Sequence, residues 1–270
     1  MNSWRMLADV DVHGELRNSN LADLPGVQQL QAKDQKTLIL LCTYNEAGNL
    51  PKMFAQLDEH APDCDVLVVD DQSPDGTARL VAERAQADER FHLLERSGKL
   101  GLGTATRDGM HWCLERNYDF LVNLDADLSH DPASIPALRA ACVDDISVDV
   151  AVGSRYVAGG GLDGLTWHRR IISRVLNRYA TQMLALPVRD CSGSFRCYRV
   201  SALRMIDLDT LTCPGYGFLE EILVALHRSG ARMREVPIRF DTRYHGQSKL
   251  GWRDAVGALK VIHQMILRRR

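Results

Sequence analysis

Short apolar runs alternate with longer amphipathic segments through the first half of the chain. The runs have the length of buried parallel strands, and they cover residues 38–42, 66–69, 91–94, 120–124 and 148–152. The segments between the first four runs carry apolar residues at helical spacing, which predicts helices over residues 49–60, 76–88 and 103–116. This alternation predicts an α/β fold with a mostly parallel central sheet flanked by helices.

The second half of the chain follows a different pattern. Helical spacing returns in residues 169–186 and 250–267, and strand-like runs occupy residues 194–198 and 231–240. Residues 1–36 are polar and show no sustained period. We therefore predict a loosely ordered N-terminal extension over 1–36 and a single domain over 37–270 that ends in an amphipathic helix.

Carboxylates follow three of the predicted strands. Glu46 lies after the first run, Asp70 and Asp71 after the second, and Asp125 and Asp127 after the fourth. In parallel α/β sheets ligands bind outside the carboxyl ends of the strands. Five carboxylates at one edge repel one another unless a cation or hydrogen-bond donors offset them. An isolated pair of this kind is more often a cap or a turn, but the whole set favours a Mg²⁺ or Mn²⁺ site completed by substrate phosphates.

The glycine-rich residues 99–105 follow the third run and open a helix. A dinucleotide-binding fingerprint has a third glycine and follows the first strand, whereas these residues lack that glycine and follow the third run. They also contain no Walker A sequence. A close approach to a phosphate and simple helix–strand packing explain them equally well. His130, just after the acidic pair, is likewise explained by a site role or by a turn.

Composition limits the partners. The net charge of −2 gives no reason to expect nucleic acid binding. Seven cysteines without paired spacing indicate free thiols in a reducing compartment, so we expect a cytoplasmic location. There is no apolar run near the roughly 20 residues that span a bilayer, and no signal-peptide pattern in residues 1–36. Any membrane contact is therefore expected to be peripheral.

Nine ordered motifs carry a resemblance to a known family: TYNE (43–46), DDQSPDGT (70–77), GLGTA (101–105), DADLSH (125–130), GSRY (153–156), RRIISR (169–174), DCSGSFRCY (190–198), GYGFLEE (215–221) and RYHGQSKL (243–250). Together they resemble the dolichol- and polyprenol-phosphate mannosyltransferases of inverting glycosyltransferase family 2, which have a GT-A fold. The likeness runs from about residue 38 to residue 267. Two positions depart from the family pattern, since Cys42 stands where proline is usual and Gln72 where glycine is common.

The resemblance implies roles for particular residues. The nucleotide-sugar pocket would comprise Cys42, Tyr44, Glu46, Val69, Asp71, Asp125, Ala126, Asp127, Arg155, Arg243 and Lys249. A metal would be held by Asp125 and Asp127 with Ser129 in its shell, and the acceptor phosphate would face Arg169 and Ser173. The implied catalytic residues are Asp127, Arg155, Arg243 and Lys249. Asp190, Ser192 and Arg196 would shape the sugar and acceptor side.

The implied reaction is inverting transfer of a hexose, mannose from GDP-mannose, to dolichyl or polyprenyl phosphate at a membrane surface. A phosphate acceptor is already anionic near neutral pH, so no strong general base is required. Two alternatives stay open: another donor such as UDP-glucose, and, less favoured, a noncatalytic nucleotide-sugar-binding subunit. The basic, apolar helix beginning near residue 167 and the terminal arginines fit an interfacial location, and ordinary helices packed on the sheet fit them equally well.

Overall fold

The computed structural model describes residues 35–213, 215, 217–241 and 262–263. The described strands are β1 (Thr37–Thr43), β2 (Asp65–Asp70), β3 (Phe91–Glu95), β4 (Phe120–Asp125), β5 (Val150–Ser154), β6 (Gly161–Leu162), β7 (Arg196–Arg199), β8 (Met233–Pro237) and β9 (Arg239–Phe240). The described helices are α1 (Leu50–His60), α2 (Thr77–Ala87), α3 (Leu102–Leu114), α4 (Ile135–Val143), α5 (Trp167–Leu184), α6 (Val200–Leu203) and α7 (Gly217–Arg228). Short 3₁₀ helices cover Pro132–Ser134 and Leu208–Thr210. All of these elements belong to the compact unit over residues 36–270.

Seven of these strands form the main sheet in the order β3-β2-β1-β4-β7-β5-β8. All neighbours pair in parallel except β7, which runs antiparallel to both β4 and β5. A separate parallel pair joins β6 to β9. The sheet is therefore mostly parallel, as the sequence predicts.

The central strand β1 shows why the apolar runs are continuous. Leu38 and Leu40 face one buried cluster of the core, whereas Ile39 and Leu41 face the other, and none of the four is exposed to solvent. A strand covered by helices on both faces has no polar face, so its sequence shows an unbroken apolar run. The helix on the first face packs closely, because a Cβ atom on Gly109 would lie 2.4 Å from a methyl carbon of Leu40.

Several predicted boundaries are wrong. Strand β5 begins two residues later than predicted, because the amide of Val148 closes a turn onto the carbonyl of Asp145. The single strand predicted over 231–240 is two strands in different sheets, and the break follows Pro237, which has no amide proton to donate. Helices α4, α6 and α7 are not among the predicted helices.

Four predictions fall outside the described residues: the N-terminal extension except for its last two residues, the sites Arg243 and Lys249, and most of the helix over 250–267. Within the described part of the chain, no helix has both the length and the apolar character needed to cross a bilayer.

Candidate active site

The predicted acidic edge exists in the fold. Strands β2, β1 and β4 are adjacent and parallel, with Thr43 opposite Asp70 and Cys42 opposite Asp125. The carboxyl ends of the three strands therefore meet, as predicted from their order in the sequence. The loops that follow them share one backbone feature, since Asn45, Gln72 and Leu128 have φ values of 63°, 55° and 64°.

Positive φ is unfavourable for side chains other than glycine, and such residues concentrate at functional sites. Gln72, which stands where the family that the motifs resemble commonly has glycine, therefore has a left-handed backbone conformation that favours glycine.

The two aspartates after β2 have their oxygens engaged within the protein. Asp70 is fully buried and accepts hydrogen bonds from Thr43 Oγ1 (2.8 Å) and from the amide and hydroxyl of Ser73 (2.8 and 2.6 Å). Asp71 accepts from Arg96 Nη1 (2.6 Å) on one oxygen and from the amides of Leu100 and Gly101 (3.0 and 2.8 Å) on the other. Asp70 thus closes a turn, and Asp71 holds the glycine-rich residues against the edge.

Arg96 is a site residue that the sequence reasoning missed. It follows directly after β3, and its side chain is 6% exposed. Besides Asp71, it contacts Asp108 (3.1 Å) and the hydroxyl of Thr104 (2.7 Å), both on α3. The search for polar strand ends would have found it, because Arg96 occupies the same kind of position as the aspartates after β2 and β4.

Of the remaining predicted nucleoside residues, Cys42 and Val69 lie in β1 and β2, and Tyr44 and Glu46 lie in the loop after β1. The Tyr44 ring is covered by the Lys99 ammonium at 3.9 Å, and Glu46 accepts from the Asn49 amide at 2.6 Å. The thiol of Cys42 lies 3.6 Å from the hydroxyl of Thr106, and burial raises its pKa to about 12. The side chain of Val69 is fully buried in the core and so does not line the edge. Roles in binding a nucleoside stay predictions for all four.

The acidic pair after β4 is braced from two sides. Asp125, whose side chain is 25% exposed, accepts from the hydroxyl of Ser194 at 2.7 Å. Asp127 is nearly buried and accepts from the amide and hydroxyl of Ser129 at 3.0 and 2.5 Å. Ala126, between them, is buried. The structure therefore shows Ser129 supporting Asp127, and its role as a metal ligand stays a prediction.

The fit of this pair to a divalent cation can be judged from its donor atoms. Among the described residues, no group of three or more histidine, cysteine, aspartate or glutamate side chains could hold a metal by itself. Mg²⁺ typically takes one or two carboxylates and completes its shell with water and substrate phosphates. The carboxylates of Asp125 and Asp127 at one edge of the sheet fit that pattern. They do not fit a structural metal site, which protein ligands enclose on all sides.

Arg155 follows β5 and is held by a buried aspartate. Asp190 accepts from Arg155 Nε and Nη2, both at 2.7 Å, and from its backbone amide at 3.0 Å, while Ser192 accepts from Nη2 at 2.8 Å. Burial opposes ionisation of both groups, but their mutual charge raises the pKa of Arg155 above its usual value and lowers that of Asp190. Arg155 is therefore a fixed cation at this edge.

A second buried arginine organises the segment before β7. Arg196 is fully buried and donates to Tyr198 Oη (3.2 Å) and to the carbonyls of Leu219 and Cys191 (both 2.6 Å). The neighbouring carboxyl of Glu220 has its pKa raised by burial to about 7, against the opposing charge of Arg196. Sequence reasoning gave no role to Glu220, which lies on the unpredicted helix α7.

The predicted acceptor residues lie on the first turns of α5. Ser173 Oγ is 2.7 Å from the hydroxyl of Tyr156, the residue after Arg155. Arg169 is exposed and lies one turn earlier on the same helix face. The structure thus brings Ser173 next to the Arg155 segment, and contact with an acceptor phosphate stays a prediction.

The fold and the acidic edge define the GT-A class of nucleotide-diphospho-sugar transferases. Solved structures of glucosyl-3-phosphoglycerate synthase from Mycobacterium tuberculosis share the fold. The complex with Mn²⁺, UDP and glucosyl-3-phosphoglycerate has a TM-score of 0.63 at 18% identity, covering 90% of this chain and 83% of that chain. The complex with Mg²⁺ and UDP has a TM-score of 0.62 at 17% identity, covering 90% and 82%.

Residues 38–206 match the model of glycosyl transferase family 2, and the chain belongs to this family. A polyprenol monophosphomannose synthase from Mycolicibacterium smegmatis is 40% identical over 217 residues, covering 80% of this chain and 81% of the relative. An undecaprenyl-phosphate mannosyltransferase from Micrococcus luteus is 42% identical over 215 residues, covering 80% and 87%. The predictions of a GT-A fold and of a glycosyltransferase are confirmed.

Proposed function

We propose that the protein transfers mannose from GDP-mannose to a polyprenyl phosphate, with inversion at the anomeric carbon. The two relatives named for polyprenol and undecaprenyl phosphate, each at 40% identity or more, support the sugar and the acceptor class. GDP as the nucleotide rests on the family resemblance of the motifs.

One observation carries the proposal: a single chain segment joins the acidic pair to the fixed cation. Ser194 donates to Asp125, and two positions earlier Ser192 accepts from Arg155. The acidic pair and the guanidinium therefore lie at the same edge. A site for a sugar diphosphate needs both, because the phosphates require cations and a divalent metal would require hard-oxygen ligands.

The chemistry follows from this arrangement. Asp125 and Asp127 would hold Mg²⁺ or Mn²⁺, which supplies neutralisation of the leaving diphosphate. Arg155, fixed by Asp190, positions the donor through the part of its guanidinium that Asp190 leaves open. An oxygen of the acceptor phosphate attacks the anomeric carbon in line as the carbon–oxygen bond to the nucleoside diphosphate breaks. The anionic acceptor needs no strong base.

A transfer assay tests the proposal. Purified protein is incubated with polyprenyl phosphate in detergent, Mn²⁺ and, in separate reactions, GDP-mannose or UDP-glucose. We expect mannosyl transfer that chelation abolishes and that Asp127→Ala reduces at least a hundredfold, on the order of the loss of one electrostatic element of a site. Asp209→Ala is the matched control, because the Asp209 side chain is 73% exposed and pairs with His111 at the surface.

Near-normal activity of the Asp127→Ala variant would contradict the assigned site. Transfer from UDP-glucose and not from GDP-mannose would contradict the proposed donor, and the protein would still be a glycosyltransferase.

We also infer that α5 lies on a membrane surface. Four apolar side chains of this helix are more than half exposed: Trp167, Ile171, Ile172 and Val175 are 73%, 54%, 55% and 60% exposed. Exposed apolar patches of this kind mark interaction sites. Arginines at 169, 170, 174 and 178 of the same helix supply the positive charge that attracts anionic lipid. A polyprenyl acceptor is itself embedded in a bilayer, which makes the membrane the fitting occupant.

Co-sedimentation with anionic vesicles tests this location. We expect the wild type to bind and Ile171→Glu/Val175→Glu to lose binding while keeping its thermal transition. Ile146→Glu is the control, because Ile146 is 86% exposed and lies outside α5. Equal binding by the double variant and the wild type would refute the interfacial role of α5.

A further inference from the structure

His130 lies between the acidic pair and the fixed cation. Its ring is 1% exposed and lies 5.2 Å from the rings of both Phe195 and Phe240. On one side, its Nδ1 is 3.3 Å from the amide nitrogen of Asp125 and 3.7 Å from the Asp125 carboxylate. On the other side, the Phe240 ring also lies 5.5 Å from the guanidinium carbon of Arg155. One buried imidazole and one aromatic neighbour thus connect the two charged parts of the edge.

The hydrogen bond from Asp125 determines which nitrogen of the imidazole is the acceptor and which carries the proton. The amide of Asp125 is the donor, so Nδ1 is the unprotonated acceptor and the proton of the neutral ring lies on Nε2. Nε2 is buried, and within the part of the chain that the structure describes it has no hydrogen-bond partner. A buried donor without a partner is a cost to the fold. If the position served only packing, a phenylalanine would fill the space between Phe195 and Phe240 without that cost.

The backbone around His130 is held independently of its side chain. His130 and Phe240 form an antiparallel bridge, and the amide of Asp241 donates to the carbonyl of Ser129 at 3.0 Å. Strand β9 therefore stays attached to the acidic turn when the imidazole is replaced. Substitutions at His130 consequently report on the side chain and not on detachment of the turn.

We propose that His130 is a positioning residue for the transfer reaction: Nδ1 fixes the end of β4 at Asp125, and edge-to-face packing against Phe240 fixes the acidic pair relative to Arg155. This role rests on the proposed function, in which these groups hold the donor diphosphate. His130 itself contacts no reacting atom. It acts through the geometry of the groups on either side.

Three substitutions separate the two ring nitrogens from the ring itself. His130→Asn places an amide oxygen near the position of Nδ1, His130→Gln places its amide near Nε2, and His130→Phe keeps only an aromatic ring. Affinity for GDP and UDP in the presence of Mn²⁺ is measured by titration calorimetry, together with the melting temperature of each variant. His92→Asn is the matched control, because His92 also packs on an aromatic ring (Trp112, 5.0 Å) but lies on β3 away from the acidic pair.

We expect the Asn variant to bind the nucleoside diphosphate within about threefold of the wild type, whereas the Gln and Phe variants weaken binding about tenfold, the effect of one lost hydrogen bond. Wild-type affinity in the Phe variant would overturn the role of His130. So would retained binding in the Gln variant with loss in the Asn variant, because Nε2 would then be the working atom. Failure of the wild type to bind either nucleotide with Mn²⁺ would instead overturn the proposed function, and the positioning role with it.

A measurement on the unsubstituted protein guards against variants that do not fold. Nitrogen-15 NMR of labelled imidazoles distinguishes the two neutral tautomers. We expect the proton of His130 on Nε2, with Nδ1 as an acceptor. A proton on Nδ1 would overturn the inference, because the amide of Asp125 would then have no acceptor there.

Discussion

Replacing Asp190 by asparagine tests whether the buried ion pair with Arg155 holds this edge together. Asp190 is not exposed to solvent, and it accepts three hydrogen bonds from Arg155 at 2.7–3.0 Å. The substitution keeps the shape of the side chain and removes its charge. The Arg155 side chain, only 11% exposed, then loses its ion-pair partner.

The expected loss is large because burial prevents water from replacing the missing charge. Removing one partner of a buried pair destabilises proteins by about 3–5 kcal/mol, which is a sizeable part of a typical unfolding free energy of roughly 5–15 kcal/mol. For a chain of this length we expect the melting temperature to fall by roughly 10 °C. Urea unfolding followed by tryptophan fluorescence measures the loss directly.

The pH dependence of this loss has a defined sign. Arg155 holds the pKa of Asp190 below its usual value in the folded protein. The stabilisation is therefore present above the unfolded-state pKa and is lost as the pH falls through the folded-state pKa. The difference between wild type and Asp190→Asn should be the same at pH 7 and pH 5.5.

A matched pair on the surface supplies the control. Asp163 contacts Arg239 with the same two-pronged geometry, at 2.7 and 2.9 Å, but the Arg239 side chain is 71% exposed. Asp163→Asn should leave the unfolding midpoint unchanged, because exposed ion pairs are screened by water and salt. Equal shifts for the two variants, or no shift for Asp190→Asn, would refute the reasoning from burial.

Three further predictions concern other parts of the fold. Burial raises the pKa of Glu220 to about 7. The wild type should therefore lose stability as the pH rises from the pKa of the unfolded-state carboxyl through 7, and Glu220→Gln removes this loss. The free energy of unfolding, measured by urea at pH 5 and pH 8, should show the variant gaining about 3 kcal/mol relative to the wild type. Gly109→Ala places a Cβ atom 2.4 Å from Leu40 and should destabilise by about 1–3 kcal/mol, measured by the same unfolding. At Gln72, where φ is 55°, valine should destabilise by about 1–2 kcal/mol and glycine should not, and thermal melts of both variants decide this.

The sequence predicts the acidic edge of the sheet well because local rules determine it. Strands β1, β2 and β4 are buried on both faces, so their apolar runs are unambiguous, and the polar residues after them mark the edge. Helix α7 is not in the prediction, although Leu219, Ile222, Leu223 and Leu226 have helical spacing. The burial of Glu220 and Glu221 beside them has no local signal, because charged residues in a helix usually mark its exposed face.

The fixed cation at this edge is harder to predict because its contacts are distant in sequence. The pairing of Arg155 with Asp190 joins residues 35 positions apart, and nothing in either local segment indicates it. The reversed direction of β7 has no sequence signal either, since the residue pattern of so short a strand does not depend on the direction in which the strand runs.

The antiparallel direction of β7 has a consequence for how the site is held together. Because β7 runs against β4 and β5, the segment entering it crosses the edge where its two neighbours end, and it contacts Asp125 with Ser194 and Arg155 with Asp190. Residues 190–194 therefore support both the acidic pair and Arg155. An insertion there would disturb both at once, whereas changes on α5 could alter acceptor preference and leave the donor side intact. Variation in acceptor among related chains is accordingly expected on α5, with residues 190–194 constrained in length.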